Sequence, residues 1–159
     1  WNSMIKIIKM AQEKGDDIIV ICEDDHYFTE NYSPKLLFKE VTEAYIQGAE
    51  VLSGGIGGFG QAIPAGYHRY KVDWFWCTQF IVIYNRFFNK MLDYSFQNTD
   101  TADGVISKLA TNIMVIYPFI SEQKDFGYSD VTQSNMEQQG KIREHFARAN
   151  KHMKSISLK

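Results

Sequence analysis

Cysteine is scarce in this chain, with only Cys22 and Cys77 among 159 residues. Two thiols cannot build a multi-bridge disulfide framework. Each stands inside an apolar run, which reads as two buried, reduced thiols and points to a reducing, cytoplasmic compartment. An excess of charge of one sign is lacking too: 17 basic side chains face 19 acidic ones, for a net charge of -2. That balance excludes a whole-chain electrostatic footprint for nucleic acid, so no nucleic-acid partner is expected. No apolar run approaches the ~20 residues that a membrane-spanning helix requires. Internal repeats, low-complexity tracts and linkers are missing as well, so residues 1–159 read as a single domain. With 45% of residues hydrophobic and 23% charged, the composition is that of a packed chain and not a disordered one.

The hydrophobic pattern predicts strands alternating with helices. Met4, Ile7, Ile8 and Ala11 recur at helical spacing, predicting a helix from Asn2 or Ser3 to Lys14 with Gly15 as its left-handed cap. Because that pattern already runs at Trp1, the chain reads as the remainder of something longer. Ile18-Ile19-Val20-Ile21-Cys22 is an unbroken apolar run, predicting a strand buried on both faces of a parallel sheet. Ser33-Pro34 opens a second helix, which Gly48 ends, and residues 50–53 read as a short strand. Residues 72–84 hold one strand or two, Asn85 caps a short helix, Asp100 or Thr101 caps another, and residues 113–117 form the last strand. The stretch after Pro118 reads as irregular. A capping box, Ser134-Asn135-Met136-Glu137, then opens a final helix. Its stripe of Ile142, Phe146, Ala149 and Met153 is surrounded by basic residues such as Lys141, Arg143 and Lys151. That helix can dock on the domain, or residues 134–159 can make weak peripheral contact with an anionic membrane at its inner face. The alternation predicts an α/β/α sandwich with a mostly parallel central sheet.

Five glycines fall in Gly54-Gly55-Ile56-Gly57-Gly58-Phe59-Gly60. Residues 55–60 fit G-x-G-x-x-G, but no capped helix follows, and Pro64 and Gly66 argue for a loop. A flexible segment that closes over substrate is the expectation. Trp74, Phe75 and Trp76 read either as core or as an apolar face for a sugar ring.

The most informative feature is Glu23-Asp24-Asp25, placed directly after the first apolar run. Ligands of open α/β sheets bind beyond the carboxyl ends of the strands. If the chain stays extended, Glu23 and Asp25 share one side and Asp24 the other. Crowded carboxylates repel, and a hard divalent cation such as Mg²⁺ or Mn²⁺ relieves them. A solvated acidic turn is the alternative, and the adjacent His26 reads as a further ligand or a surface residue.

Four stretches together resemble glycosyltransferases of the GT-A fold, and family 25, the lipopolysaccharide-biosynthesis type, in particular. They are Ile19-Val20-Ile21-Cys22-Glu23-Asp24-Asp25; Val51-Leu52-Ser53-Gly54-Gly55; Cys77-Thr78-Gln79-Phe80-Ile81-Val82-Ile83-Tyr84; and Tyr117-Pro118-Phe119-Ile120-Ser121-Glu122-Gln123 closed by Ser129-Asp130-Val131. The resemblance implies a GT-A-like sandwich and an inverting, metal-dependent transferase of surface polysaccharide or lipopolysaccharide synthesis. It implies a UDP-sugar donor and a saccharide or lipid-linked acceptor. Asp25 would ligate Mn²⁺ or Mg²⁺ directly and Glu23 would assist, while Asp24 would serve the ribose and sugar hydroxyls. Such enzymes normally begin with a strand and helix that build the base pocket, so the resemblance implies a domain lacking its first strand–helix unit.

An inverting transfer also needs a general base for the acceptor hydroxyl. Asp103, in Thr99-Asp100-Thr101-Ala102-Asp103-Gly104, is the expected base, with Asp100 and Asp130 as lesser candidates. Any of them can instead be a carboxylate favouring a helix N-terminus. Two other functions stay open on the residues alone: a metal-dependent phosphohydrolase using the same carboxylates, and a non-catalytic binding module.

Overall fold

The computed structural model describes residues 1–124 and 141–157. In chain order the elements are α1 (Asn2–Lys14), β1 (Ile18–Cys22), β2 (His26–Phe28), α2 (Pro34–Ile46), β3 (Val51–Ser53), β4 (Ala62–Pro64) and β5 (Arg69–Val72). They continue with β6 (Phe80–Tyr84), α3 (Asn85–Leu92), α4 (Ala102–Leu109), β7 (Ile113–Ile116), β8 (Ser121–Gln123) and α5 (Lys141–Ser157). Local chemistry accounts for several boundaries. Gly15 ends α1 at φ 74°, a conformation that a Cβ would penalise. Ser33 Oγ accepts from Leu36 N–H at 3.2 Å ahead of α2, and Thr101 Oγ1 accepts from Gly104 N–H at 3.2 Å to start α4. The Ser134 capping box lies outside the described residues.

Six strands form one sheet in the order β1-β6-β3-β7-β5-β4, and β2 pairs with β8 in a separate ribbon. The protein is therefore mixed α/β, but the expected mostly parallel sheet is corrected. Only β3 and β7 pair in parallel; β1–β6, β3–β6, β5–β7 and β4–β5 are antiparallel. An apolar strand covered on both faces looks the same in sequence whichever way its neighbour runs. Since β1 and β3 both oppose β6, and β7 follows β3, the carboxyl ends of β1, β3 and β7 still meet along one sheet edge.

One face of the sheet, including Ile21, Val51, Ile81, Ile83, Ile113 and Val115, packs with side chains of α1, α3, α4 and α5. The other face, with Leu52, Val82, Met114 and Ile116, packs with α2. The α5 stripe of Phe146, Ala149 and Met153 is buried in the first core, so this helix docks on the domain. Membrane contact would then rest on its exposed basic residues alone. No helix among the described residues is long and apolar enough to cross a membrane.

β1 lies at the edge of the sheet, which overturns its expected burial on both faces. Val20 is 49% exposed, and Cys22 is exposed and not buried as expected. Glu23 N–H donates to Gln79 O and Asn85 N–H to Asp17 O, so the alternation turns the backbone groups of Ile18, Val20 and Cys22 away from β6. An ion pair missed by sequence reading fastens α2 to β5: Arg69 and Glu40 are fully buried and bonded to each other. Arg69 also reaches Glu43 Oε2 at 3.3 Å and Gln47 Oε1 at 3.4 Å.

Candidate functional site

The chain does not stay extended past β1. Glu23 N–H continues the ladder to Gln79 O at 2.9 Å, and His26 N–H then donates back to Glu23 O at 3.2 Å, closing a turn over Asp24 and Asp25. The simple alternation expected for these carboxylates is thus corrected, because a short turn lets β2 leave the main sheet and pair with β8.

Within the turn, each acidic side chain has its own setting. Glu23 is half-buried, and Thr78 Oγ1 donates to its Oε1 at 2.5 Å. Burial pushes the Glu23 pKa above the ordinary carboxylate range; the Thr78 bond opposes this, and Asp25, Asp103 and Asp24 each push it further up. Three other carboxylates therefore bear on Glu23, one of them, Asp103, far along the chain from the acidic turn. Asp25 Oδ2 accepts from Gln123 Nε2 at 2.6 Å, and its backbone carbonyl accepts from Lys124 N–H at 2.7 Å. Its other oxygen, Oδ1, is buried without a partner among the described residues, as is Gln79 Oε1. Asp24 is exposed.

Asp103 stands in the first turn of α4. Its Oδ2 accepts from Cys77 N–H at 3.0 Å and its Oδ1 from Gly104 N–H at 2.8 Å, which orients the carboxylate toward the loop preceding β6. Cys77 is half-buried and sits at φ 77°, the left-handed region that a side chain rarely adopts. Burial, with Asp103 adding to it, pushes its thiol up to about 12. Asp100 is elsewhere: its Oδ2 accepts from Tyr94 Oη and Gln97 N–H within a local turn. Asp130, Ser129 and Val131 lie outside the described residues. His26 faces β8, with Nδ1 2.8 Å from Ser121 Oγ, and burial pushes its pKa down.

The glycine segment is corrected from a flexible closing loop to packed structure. Residues 54–57 are buried, Gly54 N–H donates to Phe80 O, and Gly57 N–H donates to Trp76 O. A Cβ on Gly55 would collide with Ser121 O, so glycine is needed for two backbones to meet there. The aromatic triplet divides: Phe75 is core at 1% exposure, whereas Trp76 is 46% exposed beside Trp74.

Among the described residues, no three His, Cys, Asp or Glu side chains form a cluster that could hold a metal by itself. The fit to a hard cation rests instead on the buried, unpartnered Asp25 Oδ1 in a surplus of carboxylates. Mg²⁺-like ions keep several waters and are commonly held by one or two carboxylates together with substrate phosphates. Asp25 with Glu23 suits that mode, whereas a closed protein cage does not. Thr78, Gln79 and Gln123 complete the site and were missed as individuals. Thr78-Gln79 was visible as a polar break in an aromatic and apolar stretch, and Gln123 only as the last residue of the fourth resembling stretch. Compared with known proteins, the chain matches no family model and no curated protein.

Proposed function

We propose that this chain is a divalent-metal-dependent glycosyltransferase domain of GT-A-like architecture. It would transfer a sugar from a UDP-sugar to a saccharide or lipid-linked acceptor with inversion, in surface polysaccharide or lipopolysaccharide synthesis. The observation that carries the proposal is Asp25 Oδ1, a buried carboxylate oxygen without a partner among the described residues, at the carboxyl end of β1, where the charges of Asp24, Asp25 and Asp103 all bear on Glu23. A resident cation explains both the crowding and the orphan; an ordinary acidic turn leaves its oxygens to water.

In this proposal Asp25 holds Mn²⁺ or Mg²⁺ directly and Glu23, oriented by Thr78, assists. Bound there, the ion would neutralise the leaving diphosphate as a Lewis acid. Asp24, exposed at the turn, meets ribose and sugar hydroxyls. Asp103 takes the proton of the acceptor hydroxyl as that oxygen attacks the anomeric carbon; its two backbone bonds hold it in position and leave a lone pair for the proton. The outward backbone groups of β1 support a further part of the proposal, that a preceding strand–helix unit completes the nucleotide-base pocket along this edge.

Titration calorimetry of UDP with and without Mn²⁺ tests the assignment. Metal-dependent UDP binding that Asp25→Asn weakens at least tenfold, with an unchanged fold, is expected. Equal binding by wild type and Asp25→Asn would remove the metal assignment. Phosphate release from simple esters, with no affinity for UDP, would move the protein to the phosphohydrolases.

A further inference from the structure

A second feature lies beyond the carboxylates, on the β2–β8 ribbon. A cleft of about 380 Å³ opens there, lined by Tyr27, Phe28, Glu30, Asn31, Glu122 and Asn150 among others. That volume is at the lower end of the ~300–1,000 Å³ range of small-molecule sites. Two aromatic side chains present themselves to solvent: Tyr27 is 37% and Phe28 41% exposed. Neither is loose. Tyr27 Oη donates to Glu122 Oε2 at 2.7 Å, and the Phe28 ring stacks on Tyr32 with centroids 3.7 Å apart. Asn31 is anchored by its Nδ2, which donates to Phe119 O at 3.1 Å.

The chemistry of this lining is selective. Aromatic faces accept the C–H faces of pyranose rings, and carboxylates and carboxamides accept and donate to vicinal hydroxyls. The described lining contains no Lys or Arg, while Glu30 and Glu122 contribute two carboxylates. A phosphate or uronate would meet the like charges of Glu30 and Glu122 within this lining, with Arg143 acting on Tyr27 from outside it, so a neutral or amine-bearing sugar suits the cleft better than a nucleotide diphosphate. Position matters too. Strand β2 begins immediately after Asp25, and Phe28 lies three residues on, about 10 Å along an extended chain. A ligand of two or three sugar units spans that distance.

We propose that this cleft is the acceptor subsite and that it takes a short neutral or amine-bearing oligosaccharide, not a phosphorylated or acidic one. The proposal rests on the transferase reading for the word acceptor, but saccharide binding can be measured without catalysis. Saturation-transfer NMR on the full chain with UDP and Mn²⁺ present, using maltotriose, a glucosamine trimer and a galacturonate trimer, is the test. Maltotriose or the glucosamine trimer should bind and the galacturonate trimer should not. Glu30→Ala and Asn150→Ala alter exposed residues and should each weaken binding about tenfold, the scale of one lost hydrogen bond. Failure of all three sugars to bind, equal binding of the galacturonate trimer, or unchanged affinity in both variants would overturn the proposal. Saccharide binding without any UDP affinity would keep the cleft as a sugar site and sink the transferase reading. UDP affinity without saccharide binding would do the reverse.

Discussion

The backbone N–H of Cys77 donates to Asp103 Oδ2 at 3.0 Å, tying the loop ahead of β6 to the first turn of α4. Cys77 adopts φ 77° to make this approach, a conformation costing about 1–3 kcal/mol for a residue with a side chain. If Asp103 is the base of the proposed transferase, the bond separates that role from a structural one. Asp103→Asn keeps an acceptor oxygen for Cys77 and should leave stability within about 1 kcal/mol while lowering kcat by about 10²–10⁴. Asp103→Ala should lose both activity and about 1–3 kcal/mol, because the Cys77 N–H is left without an acceptor. Denaturant unfolding beside transfer assays checks this. An active Asp103→Asn enzyme would return the residue to a structural role.

Glu23 should make stability fall as pH rises. Its folded pKa lies above the unfolded carboxylate value, so the folded state binds the proton more tightly and loses that advantage as pH climbs through the folded pKa. Glu23→Gln, which still accepts from Thr78, should therefore melt higher than wild type at pH 7, by less than about 4 °C. The gap should close once pH falls below the ordinary carboxylate range. Calorimetric melting across pH 3.5–8 measures it, and a wild type more stable than the variant at pH 7 would contradict the crowding of these carboxylates.

The two thiols should react in an order opposite to equal burial. Cys22 is exposed on the edge strand, whereas burial holds the Cys77 thiol at about 12. Alkylation follows thiolate fraction and access. At pH 8, iodoacetamide should modify Cys22 in the native protein and reach Cys77 only in denaturant. Peptide mass mapping reads the result, and native labelling of Cys77 first would refute it.

The buried ion pair sets the fourth expectation. Removing one partner leaves an uncompensated buried charge, which costs about 3–5 kcal/mol, while replacing both with apolar residues of similar size is often neutral or stabilising. Glu40→Ala should lose most of that amount, since Glu43 beside Arg69 is half-exposed and compensates only in part. Glu40→Met combined with Arg69→Leu should recover it. Urea unfolding of the single and double variants gives the comparison.

Much of the secondary structure was legible because it depends on short-range chemistry. Gly15, Ser33-Pro34 and Thr101 mark helix ends through their own backbone and side-chain preferences, and the structure places helix boundaries at each. The runs at 18–22, 80–84 and 113–116 are short and rich in β-branched residues, and each is a strand. The strands β2 and β8 escaped notice: each has three residues, partly exposed, and they are strands only because they pair with each other.

The candidate site was half-written in the chain. Glu23, Asp24 and Asp25 stand where an apolar run ends, and consecutive charges cannot be buried in a strand, so the sequence determined that they emerge at a sheet edge. Tertiary structure decided the rest. Strand direction depends on the path of the connections, which side-chain polarity does not encode, so the sheet came out largely antiparallel with β1 and its Cys22 on the rim. The glycines of 54–57 are packed and not loose in space because distant residues close on them: the backbone of Ser121, 66 residues away, on Gly55, and Cys77 on Gly57. Asp103 is fixed by the Cys77 N–H from a loop 26 residues away, and Asp25 is bonded through Oδ2 to Gln123, 98 residues on, while its Oδ1 is buried without a partner among the described residues. Contacts across such separations follow from how the layers pack, and no local pattern of residues can specify them.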